Sequence, residues 1–181
     1  NEYLVKKLNL ITNYTTKGLI KTTYLDREDS PVFLEIDKNH LQQVNYPITI
    51  IPKKGNQYEV TLPEEGQSPN LYNYITESVE SVAPYSRPAN KVLKLNEWYE
   101  TPNLKFKLIP NPTPSNLGLN NIIITLVPVN QAVNSITSSL FVEFDKELSS
   151  IMVISKTGYN LNNTVSFLNS SVDELIKKRL T

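Results

Sequence analysis

A chain of 181 residues is long enough to bury a real core, as one large domain or two small ones. Its 18 basic and 18 acidic residues cancel, and no long run of either sign occurs, so the electrostatic footprint of a nucleic-acid binder is missing. Cysteine is absent, which excludes disulfides, thiol catalysis and cysteine-ligated metal without fixing the compartment.

At the start of the chain Tyr3, Leu4, Leu8 and Ile11 lie at helical spacing, with Lys6, Lys7 and Asn9 turned outward. A Thr15-Thr16-Lys17 loop and Gly18 follow, and from Leu19 the apolar period changes to two. Ile20, Thr22 and Tyr24 oppose Leu19, Lys21 and Thr23; Val32, Leu34 and Ile36 alternate with Phe33, Glu35 and Asp37; Tyr58, Val60 and Leu62 alternate with Glu59 and Thr61. The cleanest strand signature is Leu104, Phe106 and Leu108 alternating with Lys105 and Lys107. Proline and glycine clusters punctuate these segments at Asp29-Ser-Pro, Pro52-Lys-Lys-Gly, Pro63-Glu-Glu-Gly and Pro110-Asn-Pro-Thr-Pro. Several short strands with turns between them predict an antiparallel sandwich of jelly-roll type. Pro69 to Tyr85 fits either a helical stripe or irregular strands and is read as a long, partly ordered excursion.

The longest apolar run, Ile122 to Val127, is too short for a membrane helix and predicts a buried strand that extends to Val129. Asn130 then offers a cap for a short helix carrying Val133, Ile136 and Leu140. Leu140 to Phe144 predicts a strand, Asp145 to Glu147 a charged turn, and Ser149 to Ser155 a second strand. After the Lys156-Thr157-Gly158 break, Val165, Leu168, Val172 and Leu175 recur at three and four residues with Phe167 and Ile176 widening the stripe. Asn160 caps this last helix, and Lys177, Lys178 and Arg179 suit the negative end of its dipole.

The segment Leu140-Phe-Val-Glu-Phe, followed by Ser149-Ser-Ile-Met-Val-Ile-Ser, the Lys156-Thr-Gly-Tyr-Asn turn and the helix from Thr164, resembles the membrane-proximal end of the Wzz-type chain-length determinants. These are the polysaccharide co-polymerases, and the likeness is to the Bacteroidetes capsular and exopolysaccharide proteins that often carry a cytoplasmic tyrosine kinase domain. Asn1 to Leu10, ending in Leu-Asn-Leu, resembles the family's first helix, and Lys21-Thr-Thr-Tyr-Leu with Ser30-Pro-Val resembles the strand pair after it. The likeness covers both ends of the chain well and its middle weakly. It implies an α+β fold in which a small α/β layer is made of 1–17 and 130–181, and an antiparallel β-sandwich, 18–129, is inserted between them. It also implies a periplasmic position, a membrane span on either side, several copies around a polysaccharide polymerase, and contact with nascent polysaccharide. The helical start at Asn1 and the end at Leu180-Thr181 without a glycine stop are read as the ends of a piece of a longer protein.

The residues that carry chemistry are few. His40 is the sole histidine, so a multi-histidine metal site is excluded, and its polar setting from Asp37 to Gln43 reads as a loop. Glu64-Glu65 and Asp26-Arg-Glu-Asp29 pair carboxylates in turns where solvent reaches both, which does not make a general acid. Five glycines leave no phosphate loop, and the Asn-x-Ser/Thr matches at Asn13, Asn162 and Asn169 follow from an asparagine-rich chain. No catalytic, cofactor-binding or metal-ligating residue is expected. The candidate contact residues are aromatic: Tyr72, Tyr74 and Tyr85 with Trp98-Tyr99 would stack sugar rings, with Asn70 and Asn73 beside them as hydroxyl partners. The plain alternative makes these aromatics half-buried rim residues, and Lys105 and Lys107 edge or solvent-face charges that discourage sheet pairing. A non-enzymatic domain that sets polysaccharide length is therefore the expected function, with a carbohydrate-binding sandwich module as the alternative.

Overall fold

The computed structural model describes residues 2–18, 22–63, 69–82, 90–113, 121–144, 151–158 and 161–180. The expected cap at Asn160, the turn at 145–147, Tyr85 and Glu64-Glu65 fall outside them. Helix α1 (Glu2–Lys7) buries Leu4 and Val5 and pairs Lys6 with Glu2 at 2.7 Å. It stops because Asn9 turns left-handed (φ 51°). The Leu10 N–H returns to the Val5 carbonyl at 2.9 Å and the Asn9 N–H to the Lys6 carbonyl at 3.3 Å, the closure that normally uses glycine. Ile11 consequently leaves the helix, against its helical spacing.

Next come β1 (Thr12–Lys17), β2 (Thr22–Tyr24), a 3-10 turn (Arg27–Asp29), β3 (Val32–Ile36), β4 (Gln42–Val44), β5 (Pro47–Lys53) and β6 (Gln57–Thr61). They are followed by β7 (Asn70–Asn73), β8 (Ser78–Val82), β9 (Lys91–Lys94), β10 (Trp98–Thr101), β11 (Leu104–Pro110) and β12 (Ile122–Leu126). The expected loop Thr15-Thr16-Lys17 is instead the end of a strand: β-branched threonines suit an extended backbone, and Tyr14 supplies its one large buried ring. The ambiguous run after Pro69 resolves, over its described residues, into the β7–β8 hairpin. Asn73 Oδ1 accepts the N–H groups of Ile75 and Thr76 at 2.8 and 3.2 Å, and Glu77 adopts φ 56° to close the turn.

Ile11–Pro128 forms one compact unit. Its strands make a six-stranded sheet in the order β2-β1-β12-β5-β6-β9 and two three-stranded sheets, β10-β11-β3 and β4-β7-β8. All described pairings are antiparallel. Register sets the faces. Tyr14 lies opposite Ile124, Ile124 opposite Ile48, Ile122 opposite Ile50, Ile50 opposite Val60, and Tyr58 opposite Leu93, so one face of the large sheet is apolar and buried from β1 to β9, while the edge strand β2 is exposed. In the smaller sheet Tyr99 faces Phe106 and Leu108 faces Leu34, again buried. The Tyr14 hydroxyl accepts the Leu34 N–H at 3.1 Å and so caps the free edge of β3 from the other sheet. The result is an α+β chain dominated by antiparallel, sandwich-like sheets.

Asparagine does here what scarce glycine would otherwise do: Asn45, Asn56 and Asn96 all sit at positive φ in turns of this unit. Asn111 is buried for a different reason. Its Nδ2 donates to the carbonyls of Glu28 and Ser30 at 2.7 and 2.8 Å, tying the 3-10 turn to the end of β11.

Asn1–Leu10 and Val129–Thr181 form the second compact unit. It contains α1, α2 (Val129–Thr137), the two-stranded sheet of β13 (Leu140–Phe144) and β14 (Met152–Lys156), and α3 (Leu161–Leu180). Helix α2 begins at Val129 rather than after an Asn130 cap, and buries Val129, Ala132 and Ile136; the chain leaves it before Leu140, which opens β13. Helix α1 packs on α2 and α3, with Lys7 reaching Glu174 at 3.5 Å, and α3 packs on β14. Gly158 permits a close approach to α3, since a Cβ there would stand 2.6 Å from Thr164 Oγ1. The face that α3 buries centres on Phe167, while Val165, Val172, Leu175 and Ile176 of the expected core stripe remain exposed.

Candidate functional site

Strand β11 is the centre of the small sheet, flanked by β10 and β3. Its alternation puts Leu104, Phe106 and Leu108 at 0% exposure on one face and Lys105, Lys107 and Ile109 on the other. Lys105 and Lys107 therefore lie on the open face of a central strand, not on an edge. The registers assemble the rest of that open face in rows: Trp98 beside Lys107 beside Glu35, then Glu100 beside Lys105, then Ile109 beside Phe33.

These rows are knitted by charge. Lys107 Nζ reaches Glu35 at 2.8 Å, and Lys105 Nζ reaches Glu100 at 3.1 Å and Asp37 at 3.4 Å. The hydrogen bond from Lys105 to Glu100, with Asp37 on its other side, holds the Lys105 ammonium above the ordinary lysine range. The Asn39 N–H, donating at 3.0 Å, together with Lys105 holds the Asp37 carboxyl below the usual carboxylate range. Arg27 lies over the Phe33 ring of the same face at 4.1 Å, so three cations stand against three carboxylates and neither sign is in excess.

Trp98 is the aromatic of this face. Lys107 Nζ stands 5.1 Å and Lys105 Nζ 5.8 Å from its ring centroid, so the lysines pack on the indole while it keeps 39% of its surface exposed. A buried amide supports the arrangement from below. Gln42, fully buried, accepts the Lys105 N–H on Oε1 at 3.0 Å and donates through Nε2 to the carbonyls of Lys105 and Asp37 at 3.0 and 2.7 Å. One side chain thus continues the ladder where β3 ends and fixes both charged residues at the backbone.

The other aromatics expected to share a platform are elsewhere. Tyr99 follows Trp98 on an extended strand and must point to the opposite face; it stacks on Phe106 at 5.1 Å inside the core and is 3% exposed. Tyr72 is 1% exposed and meets Tyr74 edge-on at 4.8 Å. The Tyr74 hydroxyl donates to the Val127 carbonyl at 2.9 Å, and burial pushes its phenol pKa well up. None of the three tyrosines offers a ring to a ligand. Asn73 is spent on its turn, and His40 sits in the Asp37 turn, half-buried, with its backbone N–H on the Asp37 carbonyl and its ring Nδ1 against the Leu41 carbonyl.

Compared with protein-family models and with curated proteins, the chain matches none of them. The site therefore rests on its own geometry. Among the described residues no three His, Cys, Asp or Glu side chains gather as a metal site requires, and no helix is long and apolar enough to cross a membrane. Sequence reasoning passed over Glu35, Glu100 and Asp37 as parts of the site. The signal was present in the charge alternation of Val32 to Asp37 against Leu104 to Leu108, two strands whose outward positions carry opposite signs.

Proposed function

We propose that this chain is a non-enzymatic periplasmic domain of an inner-membrane polysaccharide co-polymerase, one that governs the length or export of a capsular polysaccharide, O-antigen or exopolysaccharide. The observation that carries the reading is the second unit: the first ten residues and the segment from Val129 onward fold together, and Ile11–Pro128 is inserted between them. That arrangement agrees with the family likeness found at the two ends of the sequence. The exposed apolar residues of β13, β14 and α3 add weight, because Phe141, Phe144, Met152 and Ile176 suit contact with further copies or with segments of a longer protein. Polysaccharide polymerase and the protein itself are the partners this function requires, with attachment through flanking membrane spans; a cytoplasmic kinase domain is compatible with it.

The test is made in cells that carry the full-length protein. Val172→Asp and Ile176→Asp on the open side of α3 are expected to broaden or shift the length distribution of the surface polysaccharide, read on gels, while its sugar composition stays the same. An unchanged distribution with normal protein levels overturns the reading.

A further inference from the structure

We propose that the open face of β10, β11 and β3 is a one-sided platform for an uncharged pyranose unit, with Trp98 as the stacking ring. The proposal rests on the co-polymerase reading only for the origin of the sugar; its chemistry comes from the face itself.

Trp98 is set in an antiparallel ladder opposite Lys107, and the two lysines occupy the indole from within the sheet. The exposed remainder of the ring faces solvent from a rigid strand. A ligand that fits must be flat, apolar on one side and able to hydrogen-bond around its rim, because the rim here is Glu35, Glu100, Lys105 and Lys107. A pyranose ring has that form: its C–H face packs on an aromatic ring while its hydroxyls find carboxylate acceptors and ammonium donors. A nucleobase is also flat, but it brings phosphates to a face on which both lysines are already paired with carboxylates. An acidic sugar likewise meets lysines that already have carboxylate partners. A quaternary cation meets two ammonium groups beside the ring and carboxylates that are already paired, so the favoured class is a neutral glycan.

The ion pairs preorganise the platform. Each lysine is held by a carboxylate at 2.8 to 3.4 Å, and the Lys105 and Asp37 backbones are pinned by the buried Gln42 amide, so little side-chain freedom remains to be lost on binding.

The chain contains one tryptophan, so its fluorescence reports on this face alone. The experiment titrates the protein with cellohexaose, mannohexaose and, as the acidic counterpart, hexagalacturonate, following tryptophan emission and, independently, heat of binding. A saturable emission change with at least one neutral oligosaccharide is expected, and the acidic one should bind at least about tenfold more weakly. Trp98→Leu, which keeps an apolar strand residue but no ring, should weaken the neutral ligand by about tenfold in calorimetry, while Trp98→Phe retains part of the affinity. Glu35→Gln, which removes the carboxylate partner of Lys107 and keeps a hydrogen-bonding group, should narrow the preference for neutral over acidic sugar. Absence of saturation by either neutral oligosaccharide up to about 20 mM, or equal binding by wild type and a folded Trp98→Leu variant, overturns the proposal. Failure here with a positive result for the α3 variants leaves length control standing without sugar contact at this face. Binding here with unaltered polysaccharide length leaves a sugar-binding module and removes the co-polymerase reading.

Discussion

The two compact units use apolar residues in opposite ways. In Ile11–Pro128 the apolar side chains of β5, β11 and β12 are closed off completely, Ile48, Ile50, Phe106, Ile122 and Ile124 all at 0% exposure. In the unit built from the chain's ends, β13 and β14 pair, among the described residues, only with each other, and Phe141, Val142, Phe144 and Val153 are exposed across both of their faces. An isolated two-stranded ribbon is marginal in water, and this one gains its support from α3. The same apolar periodicity therefore marks a finished core in one unit and an unfinished surface in the other; periodicity reports local conformation, and burial depends on what else the sheet or helix meets.

The largest effect that sharpens this contrast is expected at Phe106. Phe106→Ala should cost about 3–5 kcal/mol of unfolding free energy, whereas Phe144→Ala should stay within about 0.5 kcal/mol, measured by denaturant titration. Comparable losses at both positions would break the contrast. Next comes Gln42→Met, which keeps the volume of the side chain and removes its amide. It strands the Lys105 N–H and the carbonyls of Lys105 and Asp37, and a loss of about 2–3 kcal/mol is expected. Asn111→Leu removes the two bonds to the Glu28 and Ser30 carbonyls and should cost about 1–2 kcal/mol, with faster proteolysis of the 3-10 turn as a second readout.

The smallest effect is electrostatic. Asp37 and Glu59 have depressed pKa values in the fold, Asp37 through the Asn39 N–H and Lys105, Glu59 through Lys53 at 2.6 Å. A depressed carboxylate contributes stability that is present above its unfolded value and lost as pH falls. The ordinary values are 3.8 for Asp37 and 4.5 for Glu59, so the melting temperature should decline only as pH drops below that range. Lys105 works in the other direction: its folded pKa is raised above the ordinary 10.5, so its contribution is full below that value and lost at higher pH. All three side chains are half-buried and still reached by solvent, and added salt should flatten these slopes. A fall in melting temperature between pH 5 and 9 would point to groups other than these.

Much of the fold was legible because some strands carry a strict alternation. Val32 to Ile36, Leu104 to Leu108 and Leu140 to Phe144 coincide with β3, most of β11 and β13. What escaped was polar. Half of strand β1 is threonine, and β4 consists of Gln42, Gln43 and Val44, all buried; backbone groups satisfy the Gln42 amide, whereas the buried Gln43 Nε2 has no hydrogen-bond partner among the described residues. Asn9, Asn45 and Asn96 end or turn elements at positive φ where a search for glycine finds nothing, whereas Asn56 shares its turn with Gly55. The site was half legible: Trp98 was visible as a candidate, but its adjacency to Tyr99 suggested one shared platform, and a strand sends neighbours to opposite faces. The carboxylates around Trp98 come from strands far apart in sequence, and only the register brings Glu35 to Lys107.

The contrast between the units is tested most directly by residue-resolved hydrogen exchange on the whole 181-residue chain. Amides of β5, β11 and β12 should exchange only through global opening, while those of β13 and β14 exchange orders of magnitude faster through local opening. Equal protection in the β13–β14 ribbon and in β11 would contradict the claim that one unit closes its own core and the other leaves its apolar surface unfinished.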